Sequence, residues 1–276
     1  MTRHGARRLP RVSPLRYGAL LVVGLLAGCS AATGAIPTTT QSASPAAAEA
    51  LQQEFVDVIA RVLPSVVEIR TSGGLGSGVV LDSEGDIVTN AHVVADATSL
   101  QVLSASAAGS TSPLPAALPA VLVGSCPADD LAVIKVSADS GLRPAAFAGL
   151  GTVAVGDIVL AIGSPLGLAS SATEGIVSAV GRSVAEPATT GSAATVLAGV
   201  IQTSAAINPG NSGGALVSIG GEVIGIPTLA AVNGAGGGAA PGIGFAIPAS
   251  LAVSVGKEFV DTVGGARGAA PSGCHR

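Results

Sequence analysis

The sequence is poor in aromatic and charged residues. Of its 276 residues, 2% are aromatic, none is tryptophan and 11% are charged. A core built from this chain therefore relies on aliphatic side chains and alanine, which dominate the 48% hydrophobic share. An excess of basic charge is also missing. The formal net charge is -4, and the only basic cluster is at the N-terminus, which argues against a nucleic-acid partner.

Histidine is equally scarce. The chain has 3 histidines, and two of them, His4 and His275, lie close to the chain ends. His92 is therefore the only histidine in the body of the chain. A lone histidine usually has a structural role, but this one directly follows a predicted strand at residues 86–89. Side chains at the ends of rigid strands are held accurately, so His92 is a candidate functional residue.

A serine motif follows His92 in the chain. Residues 210–214 read Gly-Asn-Ser-Gly-Gly, and residues 130–133 between the two read Asp-Leu-Ala-Val. The order is thus His92, Asp130, Ser212. A serine hydroxyl attacks a carbonyl only when a neutral imidazole takes its proton, and a carboxylate must orient that imidazole. These three residues are the candidate catalytic group.

The pattern Gly-x-Ser-x-Gly also describes the nucleophile elbow of α/β-hydrolases. An elbow needs a helix after the serine and a histidine later in the chain. Here residues 215–219 and 222–226 flank a Gly-Gly pair and predict a β-hairpin. The only later histidine lies in the terminal tail, so the elbow interpretation fails.

The chain resembles trypsin-like serine proteases of the HtrA (Deg) family. The resemblance extends over about residues 50–263. Beyond the motifs around His92, Asp130 and Ser212, it rests on residues 76–80, 156–165, 175–178, 202–209 and 242–248. It implies an all-β, chymotrypsin-like fold of two six-stranded antiparallel barrels with short N- and C-terminal helices. It further implies a serine endopeptidase that cleaves unfolded or loosely folded polypeptides and needs no metal or other cofactor.

The periodicity of the chain fits this expectation. Helices are predicted at residues 49–61 and 249–263 within a protease domain over 49–265, followed by a tail at 266–276. The first barrel is expected at about 62–146 and the second at about 150–250. Strands are predicted at 66–70, 78–82, 86–89, 100–103, 120–124, 131–136, 157–163, 173–182, 200–203, 214–219, 222–229 and 242–247. Two segments rich in small residues, 183–195 and 229–241, are predicted as mobile loops.

The resemblance also assigns roles. Ser212 is the nucleophile, His92 the general base and Asp130 the residue that orients His92. Charge alone does not separate Asp130 from its neighbour Asp129, whereas the Asp-Leu-Ala motif of the family selects Asp130. The backbone N–H groups of Gly210 and Ser212 are expected to form the oxyanion hole.

A small apolar substrate pocket is expected beside the serine. The position that is acidic in trypsin falls near Ala206, which offers no partner for Lys or Arg. With Ile207 and Thr228 as further pocket residues, cleavage is expected after Val, Ile, Ala or Leu. The chain also departs from the family pattern. Ser204 stands where relatives usually have Asp, and Pro227 replaces an Asn and lacks an N–H for an extended substrate.

The N-terminus predicts export and lipid attachment. Basic residues up to position 16 precede a short apolar run at 17–27, which has the form of a secretory signal. Residues 26–29, Leu-Ala-Gly-Cys, resemble a bacterial lipobox. This implies a signal peptide at 1–28, a lipid on Cys29, a flexible tether at 29–48 and a membrane-anchored protein facing outside the cytoplasm. An ordinary signal peptide of a secreted protein is the alternative.

Two cysteines remain, Cys126 and Cys274, and spacing leaves both a disulfide and two free thiols open. Because the chain ends soon after the last predicted helix, no PDZ domain is expected, and the oligomeric state is not predicted. The alternative function is a chaperone or regulatory binding protein on the protease fold, with a largely inactive site.

Overall fold

Alternating aliphatic residues in the first half of the chain form a closed barrel. The computed structural model describes residues 45–104, 117–149, 151–164, 171–186, 195–208, 210–232, 239–263 and 274. The strands of the first barrel are β1 (Val66–Thr71), β2 (Leu75–Val80), β3 (Asp86–Thr89), β4 (Leu100–Ser104), β5 (Leu118–Cys126) and β6 (Leu131–Lys135). They are antiparallel in the order β1-β2-β3-β6-β5-β4, and β1 pairs with β4 to close the barrel.

The second half of the chain repeats this architecture. Its strands are β7 (Ile158–Gly163), β8 (Ser171–Glu186), β9 (Thr195–Thr203), β10 (Ala215–Ser218), β11 (Val223–Val232) and β12 (Ala239–Pro248). They close in the order β10-β11-β12-β9-β8-β7. The predicted all-β fold of two six-stranded antiparallel barrels with short terminal helices is therefore confirmed.

The two faces of each strand enter different cores, because successive side chains of a strand point to opposite sides. In β1, Val67 and Ile69 fill the interior of the first barrel, whereas Val66 faces outward. Val66 belongs to a core that also contains Leu160 and Val217 from the second barrel. The barrels thus share a core made mainly of aliphatic residues, which fixes their relative position.

Two helices cover this shared core. Helix α1 (Pro45–Val62) contributes Val58 and Val62, and the C-terminal helix (Ala249–Val263) contributes Ala252, Val255 and Phe259. None of the helices in the described ranges is long and apolar enough to cross a membrane.

Helix α1 begins earlier than predicted. It starts at Pro45, so residues 45–48, predicted as part of the flexible tether, are helical. Proline is favoured at the first helical position, and the alanines that follow it have the highest helix propensity of all residues. The remainder of the predicted tether and the predicted signal peptide lie outside the described residues.

The two predicted mobile loops are shorter than expected. β8 continues to Glu186 and β9 begins at Thr195, while β11 continues to Val232 and β12 begins at Ala239. The prediction of loops over 183–195 and 229–241 is therefore wrong for residues 183–186, 195, 229–232 and 239–241, which belong to strands. Leu197, Val200 and Phe245 form a separate apolar cluster beside these hairpins, and this tertiary contact overrides the low strand propensity of small residues. Residues 187–194 and 233–238 lie outside the described residues.

An ion pair between the buried Asp86 and the partly exposed Lys135 joins β3 and β6. Asp86 lies opposite Lys135, and Lys135 Nζ is 2.6 Å from Asp86 Oδ2. Desolvation by burial raises the pKa of Asp86 above its usual value, and the hydrogen bond from Lys135 opposes this effect. The pair aligns the two strands whose opposite ends lead to the candidate site.

Candidate active site

His92 and Asp130 are neighbours because of the register of β3 and β6. The strands are antiparallel, and Thr89 at the end of β3 pairs with Ala132 near the start of β6. The residues just after β3 and just before β6 therefore meet at one edge of the first barrel. A short helix, α2 (Ala91–Val94), begins directly after β3 and carries His92.

The imidazole of His92 is hydrogen-bonded to the Asp130 carboxylate. His92 Nδ1 lies 3.0 Å from Asp130 Oδ1 and 2.9 Å from Oδ2, and the backbone N–H of His92 donates to Oδ1 at 3.0 Å. Asp130 is 2% exposed. Because a carboxylate only accepts hydrogen bonds, Nδ1 carries the hydrogen, and the lone pair of neutral His92 is on Nε2. This tautomer suits a general base.

The backbone of Asp130 adopts the left-handed conformation, with φ of 49°. A turn supports it, in which the N–H of Asp129 donates to Cys126 O at 3.2 Å and that of Asp130 to Pro127 O at 3.3 Å. Asn90 Nδ2 donates to Asp130 O at 3.0 Å. Non-glycine residues adopt this conformation only where the surroundings enforce it. The result is that Asp130, rather than Asp129, faces His92.

Ser212 lies in a glycine-rich turn that packs against the first barrel. Gly210 and Gly213 both have positive φ, 101° and 80°. A Cβ on Gly213 would overlap with Ser77 O and Thr89 Oγ1. Only glycine fits this close approach between barrels, which explains the glycine that follows the serine.

Thr228 connects Ser212 to Asp130. Ser212 Oγ donates to Thr228 O at 3.0 Å, and Thr228 Oγ1 donates to Asp130 Oδ2 at 2.5 Å. Thr228 is buried. Its side chain supplies one of the hydrogen-bond donors that the buried carboxylate requires, and the lining of a substrate pocket by Thr228 stays a prediction. The structure thus brings His92, Asp130 and Ser212 into one hydrogen-bonded group that includes Thr228.

The backbone amides around Ser212 divide into two sets. The N–H groups of Asn211, Gly213 and Gly214 donate within the protein, to Asn208 O, Pro227 O and Asn211 O. The N–H groups of Gly210 and Ser212 have no acceptor among the described residues. These two amides are the donors predicted for the oxyanion hole.

The other predicted pocket residues occupy different environments. Ala206 is exposed, and its carbonyl accepts from Thr173 Oγ1 at 2.8 Å and Asn211 Nδ2 at 3.4 Å. Ile207 is buried in the core of the second barrel, where a Cβ on Gly244 would overlap with it. Their lining of a substrate pocket stays a prediction.

Ser204 and Pro227, the two residues that depart from the family pattern, both form hydrogen bonds with nearby backbone groups. Ser204 Oγ accepts from the N–H of Ile176 at 3.0 Å, and the N–H of Ser204 donates to Ile176 O at 3.1 Å. Ser204 thus joins β8 to the segment that leads to Ser212. Pro227 pairs with Ala246 in β11 and β12, and its carbonyl accepts from Gly213 N–H at 2.9 Å.

The cysteines outside the N-terminus are paired. Cys126 and Cys274 form a disulfide with Cα atoms 5.3 Å apart. Cys126 is 0% exposed and begins the turn that carries Asp130. The disulfide therefore ties this turn to a residue 148 positions along the chain. Cys29, the predicted lipidation site, lies outside the described residues.

Sequence reasoning missed several side chains that hold the site together. Asn90 supports the Asp130 backbone, Thr228 bonds the Asp130 carboxylate, and Ser77 contacts the turn around Ser212. Asn90 is two residues before His92, and Ser77 lies within residues 76–80 of the family resemblance, so sequence position was the available signal although it does not report their contacts. Within the described residues, no group of three or more His, Cys, Asp or Glu residues is arranged to hold a metal ion.

Comparison with known proteins places this site in a family. Residues 76–226 match the trypsin-like peptidase domain model. The chain is 37% identical to the serine protease PepD of Mycobacterium tuberculosis over 93% of its own length and 60% of that protein. It is 43% identical to the serine endoprotease DegS of Escherichia coli over 70% of its length and 50% of that protein.

A solved structure agrees with these relatives. The serine endoprotease from Yersinia pestis matches with a TM-score of 0.60 and 36% identity, covering 75% of this chain and 66% of that one. The chain spans 60% of PepD and 50% of DegS, so it matches only part of these curated relatives.

The disulfide should contribute measurably to stability. We expect Cys274→Ser to lower the free energy of unfolding by about 2–4 kcal/mol, because it removes a cross-link that restricts the unfolded chain. Urea unfolding with and without dithiothreitol measures this effect. Dithiothreitol should destabilise the wild type and leave Cys274→Ser unchanged. Equal stability of the oxidised wild type and the variant would contradict the expectation.

Proposed function

Because the chain belongs to the trypsin-like peptidase family, we propose that it is a serine endopeptidase acting through Ser212, His92 and Asp130. The observation that carries this proposal is the hydrogen-bonded group of these residues and Thr228, drawn from both barrels. The similarity to PepD and DegS supports the same activity.

The first half of the reaction forms an acyl-enzyme. Ser212 Oγ attacks the carbonyl carbon of the scissile peptide while His92 Nε2 takes the hydroxyl proton. Asp130 stabilises the resulting imidazolium through the Nδ1 hydrogen bond, and its burial strengthens this interaction. The C–N bond then breaks as His92 Nε2 gives the proton to the leaving amine.

The second half uses water as the nucleophile. His92 Nε2 takes a proton from water as its oxygen attacks the ester carbonyl. Collapse of the second tetrahedral intermediate breaks the bond to Ser212, and the proton returns to Ser212 Oγ. The product is a free carboxylate, and the enzyme is regenerated.

The oxyanion of each tetrahedral intermediate would be bound by the N–H groups of Gly210 and Ser212. Both lack an acceptor among the described residues, which suits donors that await a ligand. In related active sites, one such donor stabilises the transition state by about 3–4 kcal/mol. Gly210 permits close approach of the substrate because it has no Cβ.

One observation favours the second candidate function, a binding protein with a largely inactive site. The Ser212 hydroxyl donates to Thr228 O. A hydroxyl has one donor hydrogen, so in this conformation that hydrogen is not directed at His92. Attack requires this hydrogen to turn toward His92 Nε2, and a protein in which it stays on Thr228 O would bind polypeptides without cleaving them.

The substrate pocket is proposed to accept small or medium apolar side chains. Ala206 carries no charge to pair with Lys or Arg, and the neighbouring Ile207 is apolar and packs closely against Gly244. We propose unfolded or loosely folded polypeptides as substrates, because only an extended chain presents its backbone to a cleft between two barrels.

The protein is proposed to act outside the cytoplasm, anchored by a lipid on Cys29. Similar proteins in Escherichia coli include DegQ and DegP, both described as periplasmic serine endoproteases. Removal of residues 1–28 would leave Cys29 at the N-terminus, and the tether that follows would join it to the protease domain.

Labelling by a fluorophosphonate probe tests the activity. The probe reacts with an activated serine, so we expect it to label the wild type and not Ser212→Ala. We also expect the wild type to cleave casein, and Ser212→Ala to lose at least about 1000-fold of this activity.

Ser218→Ala is the matched control, because Ser218 lies in β10 close to Ser212 in the chain and its hydroxyl accepts from Glu222 N–H at 3.4 Å, away from the candidate site. It should retain labelling and cleavage. A folded wild type that binds unfolded casein but resists both labelling and cleavage would support the binding-protein alternative instead.

The pocket assignment predicts a change of specificity. The wild type should cleave a peptide library after Val, Ile, Ala or Leu. We expect Ala206→Asp to raise cleavage after Lys and Arg relative to Val by roughly tenfold or more, because it supplies a carboxylate partner. Ala206→Asn has the same shape without the charge and should not do so. An unchanged profile in Ala206→Asp would place the pocket elsewhere.

Lipid attachment is tested by mass spectrometry of the protein from its native host. We expect an N-terminal peptide that begins at Cys29 and carries acyl groups, and partition of the protein into the detergent phase. Cys29→Ser should abolish both. An unmodified Cys29, or cleavage at another position, would support an ordinary signal peptide.

A further inference from the structure

Ser77 is a buried serine of the first barrel that contacts the turn around Ser212. It lies in β2, and it is 0% exposed. Its Oγ donates to Gly210 O at 2.5 Å and accepts from the N–H of Ser164 at 2.8 Å. No step of the mechanism above uses this hydroxyl.

The backbone of Ser77 makes two further bonds at the same place. Its N–H donates to Ser212 O at 2.9 Å, and its carbonyl accepts from Thr89 Oγ1 at 2.6 Å. Gly210, Ser212 and Ser164 belong to the second half of the chain, whereas Thr89 ends the strand before His92. Ser77 therefore joins the nucleophile turn to the strand that carries the general base.

These contacts determine the orientation of peptide groups beside the oxyanion donors. A peptide group is planar, so the bond from Ser77 Oγ to Gly210 O also directs the N–H of Asn211, which donates to Asn208 O at 3.0 Å. The bond from Ser77 N–H to Ser212 O restrains the peptide after Ser212 in the same way. The N–H of Ser212 thus lies between two peptide groups that Ser77 holds.

The turn needs such external restraint. Gly210 has φ of 101°, and glycine has no side chain to limit its backbone to one conformation. The orientation of the Gly210 and Ser212 amides therefore depends on tertiary hydrogen bonds. Gly213 packs closely against Ser77 O, so the turn also contacts the backbone of β2 at this point.

We propose that Ser77 is a positioning residue that holds the Gly210 and Ser212 amides in the geometry required for oxyanion binding. The inference rests on the proposed serine protease function. A hydroxyl suits this position because it donates and accepts at once, to Gly210 O and from Ser164 N–H. Alanine does neither and leaves two polar backbone groups without their partner.

The test compares Ser77→Ala with Ser65→Ala. Both residues are buried serines of the first barrel whose Oγ donates to a distant carbonyl, Gly210 O for Ser77 and Pro144 O at 3.2 Å for Ser65. Prolonged fluorophosphonate labelling counts the folded sites in each preparation. We then measure kcat and KM per labelled site, and the inhibition constant of a peptide boronic acid, whose serine adduct is tetrahedral.

We expect Ser77→Ala to lower kcat per site about tenfold to a hundredfold. This decrease is no larger than the one expected from loss of one oxyanion donor. KM should change by less than about threefold, and boronic-acid affinity should fall in parallel with kcat, because only the tetrahedral species uses the oxyanion donors. Ser65→Ala should keep wild-type kcat per site even if its melting temperature falls. A purely structural role of Ser77 would lower the melting temperature without this selective loss.

Ser77→Cys decides the question if Ser77→Ala does not fold. The thiol nearly matches the hydroxyl in shape but is a weak donor and acceptor, so kcat per site should again fall. If the wild type is active and either folded Ser77 variant keeps the wild-type kcat per site, the positioning role of Ser77 is overturned and the proposed function stands. A wild type that neither cleaves peptides nor reacts with the probe would overturn the proposed function and this inference together.

Discussion

The burial of one carboxylate governs the arrangement of the site. Asp130 is almost inaccessible to solvent, so its charge requires donors, and these come from both barrels: His92 from the first and Thr228 from the second. Loss of either partner would leave a buried charge poorly compensated, which is costly in a protein interior. The hydrogen bonds that would orient a catalytic imidazole therefore also connect the two barrels at the cleft.

The scarcity of aromatic residues is consistent with this close approach. The shared core consists mainly of Val, Leu, Ile and Ala, including Val66, Leu160 and Val217, and Phe259 is the aromatic residue buried in it among the described residues. At the cleft the contact is closer still, because Gly213 lies against Ser77 O and Thr89 Oγ1. Small side chains let backbone groups of one barrel bond directly to those of the other, as Ser77 N–H does with Ser212 O.

Sequence periodicity predicted most of the strands, the family resemblance predicted the two barrels, and neither predicted all of the site. The alternation in residues 66–70 and 86–89 predicted β1 and β3 closely, because one face of each strand must be apolar. It failed for the hairpin ends near Val184 and Leu197, where Ala, Gly and Ser interrupt the pattern and a tertiary cluster stabilises the strands. The contact of Thr228 with Asp130 joins residues 98 positions apart, and no local pattern reports a contact of that range.

Thr228 gives the proposed mechanism its simplest activation step. Its side chain donates a hydrogen bond to Asp130 while its backbone carbonyl accepts one from the Ser212 hydroxyl, so one residue contacts both the carboxylate and the nucleophile. The His92–Asp130 pair is already assembled in this conformation. The change required for attack is then rotation of a single hydroxyl from a carbonyl acceptor toward an imidazole. Such a rotation exchanges one hydrogen bond for another of similar strength, and it demands no movement of the barrels.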